Sequence, residues 1–208
     1  MKINNIFCIG RNYVKHAKEL GNEVPNKPII FTKPNNSVIY SQGQQIHYPK
    51  DEGEIHYEIE IVLKITEAPK EKEFLVDDIV GEMALGIDLT KRDLQSKLKD
   101  KGHPWLLAKG FRHATILTDF WDFPGVDKCK ERDFSLKKNK KLVQKGNISS
   151  LIFPFDYLLH YLKDHFSLQK GDIIFTGTPE GVGPIASGDE FEMFWGDQLK
   201  GNFYTEFL

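Results

Sequence analysis

Alternation with a period of two dominates the chain. Its clearest run is residues 55–65, I-H-Y-E-I-E-I-V-L-K-I. Successive side chains of a strand point to opposite faces. Tyr57, Ile59, Ile61, Leu63 and Ile65 therefore share one face, which must be core, and His56, Glu58, Glu60, Val62 and Lys64 share the other. Residues 4–9, rich in β-formers and ended by Gly10, read as a strand, as do 28–33, closed by Pro34, and 45–48. Residues 81–89 read as a buried strand, 133–138 and 141–145 as a hairpin, and 172–176, 190–195 and 203–207 as the closing strands. Helical spacing is rarer. It predicts a short helix over 13–20 stopped by Gly21, a second over 90–100 beginning at a Thr90 cap, and an amphipathic third over 154–166 with Pro154 near its first turn. The pattern is mostly β (α+β) with a few peripheral helices, and not an alternating β-α-β chain.

The 208 residues fit a single domain spanning 1–208, enough to bury about 70% of the surface the unfolded chain exposes. Apolar residues make up 40% and charged residues 28%, a globular balance that excludes a disordered chain. A formal net charge of −2 gives no reason to expect nucleic acid, whose binders concentrate positive charge. The one basic stretch, 137–145, is broken by Asn139, Leu142, Val143 and Gln144 and reads as a solvated hairpin. Cys8 and Cys129 lie far apart, so no disulfide framework is expected. No apolar run reaches the roughly 18 residues that span a bilayer, and residues 1–10 hold too short an apolar stretch for a signal peptide. A cytoplasmic protein without a membrane partner is the default expectation.

Several residues could carry chemistry. Glu58 and Glu60, two apart on one strand face, repel each other unless something positive lies between them. A hard divalent cation, which favours oxygen ligands, meets that need; a solvated strand face is the alternative. Parity also puts Glu52, Glu54 and His56 on that side, so spacing leaves open which carboxylates would bind metal. Asp88, in G-I-D-L-T, follows an apolar run where a carboxylate is costly to bury without a partner; as a turn residue it would instead bond local N–H groups. His16 and Glu19 share a helix face. A carboxylate there fixes the imidazole's tautomer and raises its basicity, which suits a general base, and a surface ion pair is the other reading. Residues 176–183, T-G-T-P-E-G-V-G, match neither a phosphate-binding loop nor G-x-G-x-x-G. Their glycines either let the backbone approach a ligand, with Thr178 as donor, or simply turn the chain. Lys109, in W-L-L-A-K-G-F, must reach solvent, a carboxylate or a ligand anion. His47, His113, His160 and His165 have no evident partners and read as ordinary surface or core residues.

Taken in order, these segments resemble the catalytic domain of the fumarylacetoacetate hydrolase family. The branch is its short acylpyruvase, oxaloacetate decarboxylase and 2-hydroxyhepta-2,4-diene-1,7-dioate isomerase group. The resemblance rests on G-R-N-Y-V-K-H-A-K-E at 10–19, F-T-K-P at 31–34, H-Y-E-I-E at 56–60 and G-I-D-L-T-K-R-D-L-Q at 86–95. It continues through K-G-H-P-W-L-L-A-K-G-F at 101–111, G-D-I-I-F-T-G-T-P-E-G-V-G-P at 171–184 and the turn at Gly188 and Asp189. It spans nearly the whole chain. It implies a mixed β-roll or β-sandwich, a homodimer, and Mg²⁺ held by Glu58, Glu60 and Asp88, with Mn²⁺ equally able to accept oxygen ligands. By the same resemblance His16 and Glu19 are a catalytic dyad on a segment that closes over substrate, Lys109 is catalytic, and Arg92, Gln95, Lys109 and Thr178 line the substrate site. The implied substrate is a small 2-oxo acid. Acylpyruvate hydrolysis and oxaloacetate decarboxylation, both through a pyruvate enolate, are the leading activities. The alternatives are the heptadienedioate isomerase or 5-oxopent-3-ene-1,2,5-tricarboxylate decarboxylase of aromatic catabolism, and a non-catalytic 2-oxo-acid-binding protein. Three features depart from the family pattern. The extra N-terminal domain of larger relatives is not expected here. Arg112 stands where relatives often carry Asp, which would alter substrate preference if it faced the pocket, and Asn35 and Asn36 stand where smaller residues are usual.

Overall fold

The alternating segments pair into three sheets. In the computed structural model the described residues are 2–21, 23–51, 53–70 and 72–208. The large sheet runs β2 (Ile29–Thr32), β1 (Ile6–Gly10), β13 (Ile173–Phe175), β6 (Ile59–Ile65), β7 (Val80–Asp88), β9 (Thr115–Leu117) and β3 (Val38–Tyr40), with β10 (Trp121–Asp122) also joined to β7. The second sheet runs β12 (Lys141–Gly146), β11 (Phe134–Lys138), β15 (Glu190–Trp195), β16 (Gln198–Phe207) and β4 (Gln45–Tyr48). A small third sheet joins β14 (Gly183–Pro184), β5 (Ile55–Tyr57) and β8 (Thr90–Lys91). Six short α-helices lie among the described residues: α1 (Val14–Glu19), α2 (Val76–Ile79), α3 (Arg92–Asp100), α4 (Leu106–Lys109), α5 (Val126–Lys130) and α6 (Phe155–Phe166). The fold is mostly β, with mixed parallel and antiparallel ladders, as the alternation predicts. No helix among the described residues is long and apolar enough to cross a membrane.

The main core lies between the two larger sheets. Ile59, Ile61, Leu63 and Ile65 of β6 join Phe134, Leu136, Phe191 and Phe203 of the second sheet in one buried cluster. That is the inward face the sequence predicts. The opposite face of β6 is a correction: it is buried too, and Val62 packs with Cys8, Ala84 and Phe175 in a second cluster. A solvated face for Glu60 is therefore excluded.

Two further expectations are corrected. Residues 55–65 are not one strand. β5 and β6 belong to different sheets and part at Glu58. The Glu58 carbonyl accepts from the Asp88 N–H at 2.8 Å, while the Ile59 N–H donates to Gln144 Oε1 at 2.9 Å, so a side chain takes over from the ladder. Thr90 caps no helix. It pairs with His56 in the small sheet, and α3 starts two residues later behind Lys91 without a side-chain cap.

The ladders bring several chain ends to one edge of the large sheet. β1 runs parallel to β13, with Cys8 opposite Phe175. β6 runs antiparallel to β13 and β7, with Phe175 opposite Val62 and Ile87 opposite Ile59. The C-terminal ends of β1, β7 and β13 therefore gather around the N-terminal end of β6. Close packing there needs a glycine at position 86, opposite Glu60. A Cβ at that position would stand 2.5 Å from Phe175 Cε1 and 2.8 Å from Val62 Cγ2. Gly86→Ala is expected to cost about 1–3 kcal/mol by overpacking, measured as a lower urea midpoint at constant slope. An unchanged midpoint would mean that Phe175 yields freely.

Candidate active site

Three carboxylates converge where those strand ends meet. Glu60 sits in β6, Asp88 ends β7, and Glu58 occupies the break between β5 and β6. All three are at least 96% buried: Glu58 is 4% exposed, Glu60 2% and Asp88 1%. One ligand atom from each lies within 4.8 Å of the others, and no other group of three such metal-capable side chains occurs among the described residues. Of the other carboxylates that parity allowed, Glu54 pairs with His56 at 3.0 Å, and Glu52 lies outside the described residues.

Cations answer two of the three. Lys109 Nζ donates to Glu58 Oε2 at 2.8 Å, Asp88 Oδ2 at 2.7 Å and Thr90 Oγ1 at 2.6 Å. Arg92 donates one Nη to Glu58 and the other to Gln95 Oε1 at 2.8 Å. Burial would raise the Glu58 pKa, but Lys109 and Arg92 outweigh it and hold the carboxyl well below its usual range. Burial also works against the charge of Lys109, and Asp88 and Glu58 more than restore it. Glu60 differs. The hydrogen bond it receives comes from the Gly177 backbone N–H, at 2.6 Å, and burial together with Asp88 and Glu58 pushes its pKa well up. The donor set fits a hard divalent cation: three buried carboxylates, one of them without a cationic partner among the described residues.

The carboxylates form part of the lining of a cavity of about 100 Å³, far below the roughly 300–1,000 Å³ of pockets for drug-sized ligands. His16, Arg92, Gln95, Lys109 and Thr178 also line it, so the cavity gathers every predicted site residue except Glu19. His16 is 4% exposed, and burial lowers its pKa against the opposing pull of Glu58 and Glu19. Its Nδ1 lies 3.6 Å from Glu19 Oε2, beyond hydrogen-bond length. Glu19 instead accepts the Gly181 N–H at 3.1 and 3.2 Å, tying α1 to the glycine-rich loop. Arg112 does not face the cavity; it is exposed beside His113.

Residues 5–200 match the fumarylacetoacetate (FAA) hydrolase C-terminal family. The chain belongs to the fumarylacetoacetate hydrolase family. Mitochondrial oxaloacetate tautomerase of Arabidopsis thaliana is 38% identical over 187 residues, 89% of this chain and 83% of that one. Mitochondrial oxaloacetate decarboxylase of Dictyostelium discoideum is 34% identical over 184 residues, 88% and 84% of the two chains. The crystal structure of fumarylpyruvate hydrolase from Pseudomonas aeruginosa in complex with Mn²⁺ and pyruvate superposes with a TM-score of 0.90 at 29% identity, covering 99% of this chain and 91% of that one. The protein is an enzyme of this family, and the non-catalytic alternative falls away.

Sequence reasoning missed three buried residues that hold this fumarylacetoacetate hydrolase family site together. Lys33, whose side chain is 0% exposed, pairs with Asp88 Oδ1 at 2.7 Å. It also donates to the carbonyls of Leu89 at 3.2 Å, Ala114 at 2.8 Å and Lys109. Its signal was a lysine between an apolar strand and Pro34. Gln144, inside the basic stretch, holds the Ile59 N–H and donates to Thr178 Oγ1 and the Pro179 carbonyl, both at 2.9 Å. Asn12 donates to the carbonyls of Thr176 at 2.8 Å and Phe153 at 3.0 Å and accepts the Phe153 N–H at 2.8 Å, fixing the approach to α1. Its Cβ would lie 2.6 Å from one added at Gly177, whose φ of +109 also requires glycine. Removing Lys33 leaves one oxygen of Asp88 and three carbonyls without their shared partner. Lys33→Met is expected to cost about 3–5 kcal/mol in urea unfolding. Lys15→Met, at the exposed Lys15–Glu180 pair, should cost about 0–1 kcal/mol. Equal losses would show that Lys33 is not the anchor.

Proposed function

We propose that this enzyme is divalent-cation-dependent and acts on small 2-oxo acids through the enolate of a pyruvate unit, decarboxylating oxaloacetate and hydrolysing acylpyruvates. The observation that carries the reading is the buried trio Glu58, Glu60 and Asp88 within the lining of a small cavity that also holds Lys109 and Arg92. We assign Mg²⁺ to the trio, with Mn²⁺ equally suited to oxygen donors, and a homodimer working in the cytoplasm. Bound there, the cation supplies Lewis acidity toward a 2-oxo oxygen and so stabilises an enolate.

The protein's own groups supply orientation and proton transfer. Arg92 and Gln95, already joined to each other, form a polar wall for the acid. Thr178 has its oxygen occupied by Gln144, which leaves its hydroxyl hydrogen to donate. Lys109 commits all three ammonium hydrogens to Glu58, Asp88 and Thr90. With Glu58 and Asp88 holding a cation, Lys109 would turn part of its ammonium from their oxygens toward a substrate carboxylate or an oxyanion. In oxaloacetate the C3–C4 bond breaks, C4 leaves as CO₂, and the electron pair stays on C3 as the enolate until a proton returns. The tautomerase relatives suggest a simpler use of the same species, in which the C3 proton leaves and the 2-oxygen is protonated. Sequence reading alone did not suggest that reaction.

A second activity is favoured by His16. Held below its usual pKa by burial, the imidazole is neutral near pH 7 and able to take a proton. In an acylpyruvate it would deprotonate water attacking C4, after which the C3–C4 bond breaks to give a carboxylic acid and the pyruvate enolate. Glu58→Ala and Asp88→Ala are each expected to lose stoichiometric Mg²⁺ binding in calorimetry, together with turnover of oxaloacetate and acetylpyruvate. A variant that keeps both would refute the ligand assignment. His16→Ala is expected to slow acetylpyruvate hydrolysis about 10²–10⁴-fold while oxaloacetate decarboxylation persists; full hydrolytic rate in the variant would remove His16 from the mechanism.

A further inference from the structure

Gln144 is 1% exposed, and it bonds both the first residue of β6 and the glycine-rich loop. Its amide cannot be turned over. Oε1 accepts the Ile59 N–H at 2.9 Å, and a backbone N–H can only donate. Nε2 donates to the Pro179 carbonyl at 2.9 Å, and a carbonyl can only accept. Two backbone groups of opposite kind therefore fix which end of the amide is oxygen and which is nitrogen.

The consequence falls on Thr178. The second amide hydrogen goes to Thr178 Oγ1, also at 2.9 Å. A hydroxyl can donate or accept, but this neighbour offers it only a hydrogen, so Thr178 accepts. Thr178 is 3% exposed, and its own hydroxyl hydrogen meets no acceptor among the described residues. Leaving a buried donor unanswered is unfavourable. Thr178 lines the cavity that holds Glu58, Glu60 and Asp88, where a ligand oxygen would answer it.

We propose that Gln144 is a positioning residue for the reaction. By making the Thr178 hydroxyl an acceptor toward the protein, it keeps that hydroxyl a donor toward the cavity and reserves this side of it for a carboxylate or oxyanion oxygen. Ile59 lies between Glu58 and Glu60 in the chain, so the same amide ties the donor to the segment that carries two of the carboxylates. The proposal deepens the functional reading above and rests on it for the anion.

The test is a cycle of Gln144→Glu, Thr178→Val and the double variant, with Thr178→Ser as the conservative control. Gln144→Glu keeps an acceptor for the Ile59 N–H, but an ionised carboxylate has no hydrogen for Thr178. The hydroxyl must then turn and donate to it, presenting lone pairs to the cavity. The added charge also repels an anion, and the double variant separates the two effects. The readouts are the calorimetric Kd for oxalate in the Mg²⁺-loaded protein and kcat and KM for oxaloacetate. Gln144→Glu and Thr178→Val are each expected to weaken oxalate binding about tenfold or more, as loss of a charged hydrogen bond does, and to act on KM more than on kcat. The double variant should stay within about twofold of Thr178→Val, because the hydroxyl through which Gln144 acts is gone. Thr178→Ser should bind as wild type does and remain sensitive to Gln144→Glu. Losses that multiply in the double variant, or an unchanged Kd in Gln144→Glu, would overturn the proposal. Should Gln144→Glu not fold, Gln144→Met, which also gives Thr178 no hydrogen, takes its place in the cycle with the same criterion. Wild type that binds oxalate but does not turn over oxaloacetate or acetylpyruvate would sink the functional reading and leave the cycle to decide this one; wild type that binds no oxalate would overturn this one outright.

Discussion

Three carboxylates held out of water, within 4.8 Å of one another, are the constraint on which the rest of the structure depends. Taking such groups out of water costs several kcal/mol each even after relaxation. The fold answers with side chains brought from distant parts of the sequence. Lys33 comes from the end of β2, Lys109 from α4 and Arg92 from the start of α3. Each reaches Glu58 or Asp88, and none of them pairs with Glu60. The compensation is therefore lopsided, and the deficit sits on Glu60, near the start of β6. A dedicated structural ion pair would have been closed by a fourth cation. The three carboxylates could hold an external cation, and this asymmetry leaves Glu60 for it.

Delivery of these groups follows from topology. Antiparallel pairing of β6 with β7 and β13, and parallel pairing of β1 with β13, put four chain ends on one side of the sheet. Each end then needs a sharp departure. β1 leaves through Arg11, β7 through the short β8, and β13 through Gly177 with its positive φ. The functional side chains lie on or just beyond these departures, where backbone geometry is set by neighbours and not by the ladder.

What the sequence made legible follows the same division. Alternation in β6 identified the inward face, because Ile59, Ile61, Leu63 and Ile65 are apolar without exception. The cost of burying Asp88 was legible from its apolar neighbours. The break at Glu58 was not. Residues on both sides have strand composition, and the interruption is made by Gln144, 85 residues beyond Ile59. Thr90 looked like a helix cap because threonine before a helical run usually is one, but its hydroxyl is taken by Lys109 and its backbone by β5. The short α4 and β9 were missed for want of enough residues to show a period. Lys33 was quoted in a matching block without a role, since nothing local separates a lysine buried on carbonyls from one in solvent.

The reach of Gln144 sets a rule for how this protein can change over generations. The residue belongs to a hairpin whose tip, Asn139 and Lys140, has two consecutive left-handed residues, and Asn139 is tied to Asp189 and Glu190 through its N–H and its side-chain amide. Extra residues at that tip would have to keep Asn139 on Asp189 and Glu190. One residue gained or lost between Lys141 and Gln144 would exchange the faces of the strand. Val143 or Lys145 would then stand where the amide now joins Ile59, Thr178 and Pro179. Length is thus held at both ends of this hairpin, at the tip by Asn139 on the start of β15 and in the stem by the face that Gln144 must present.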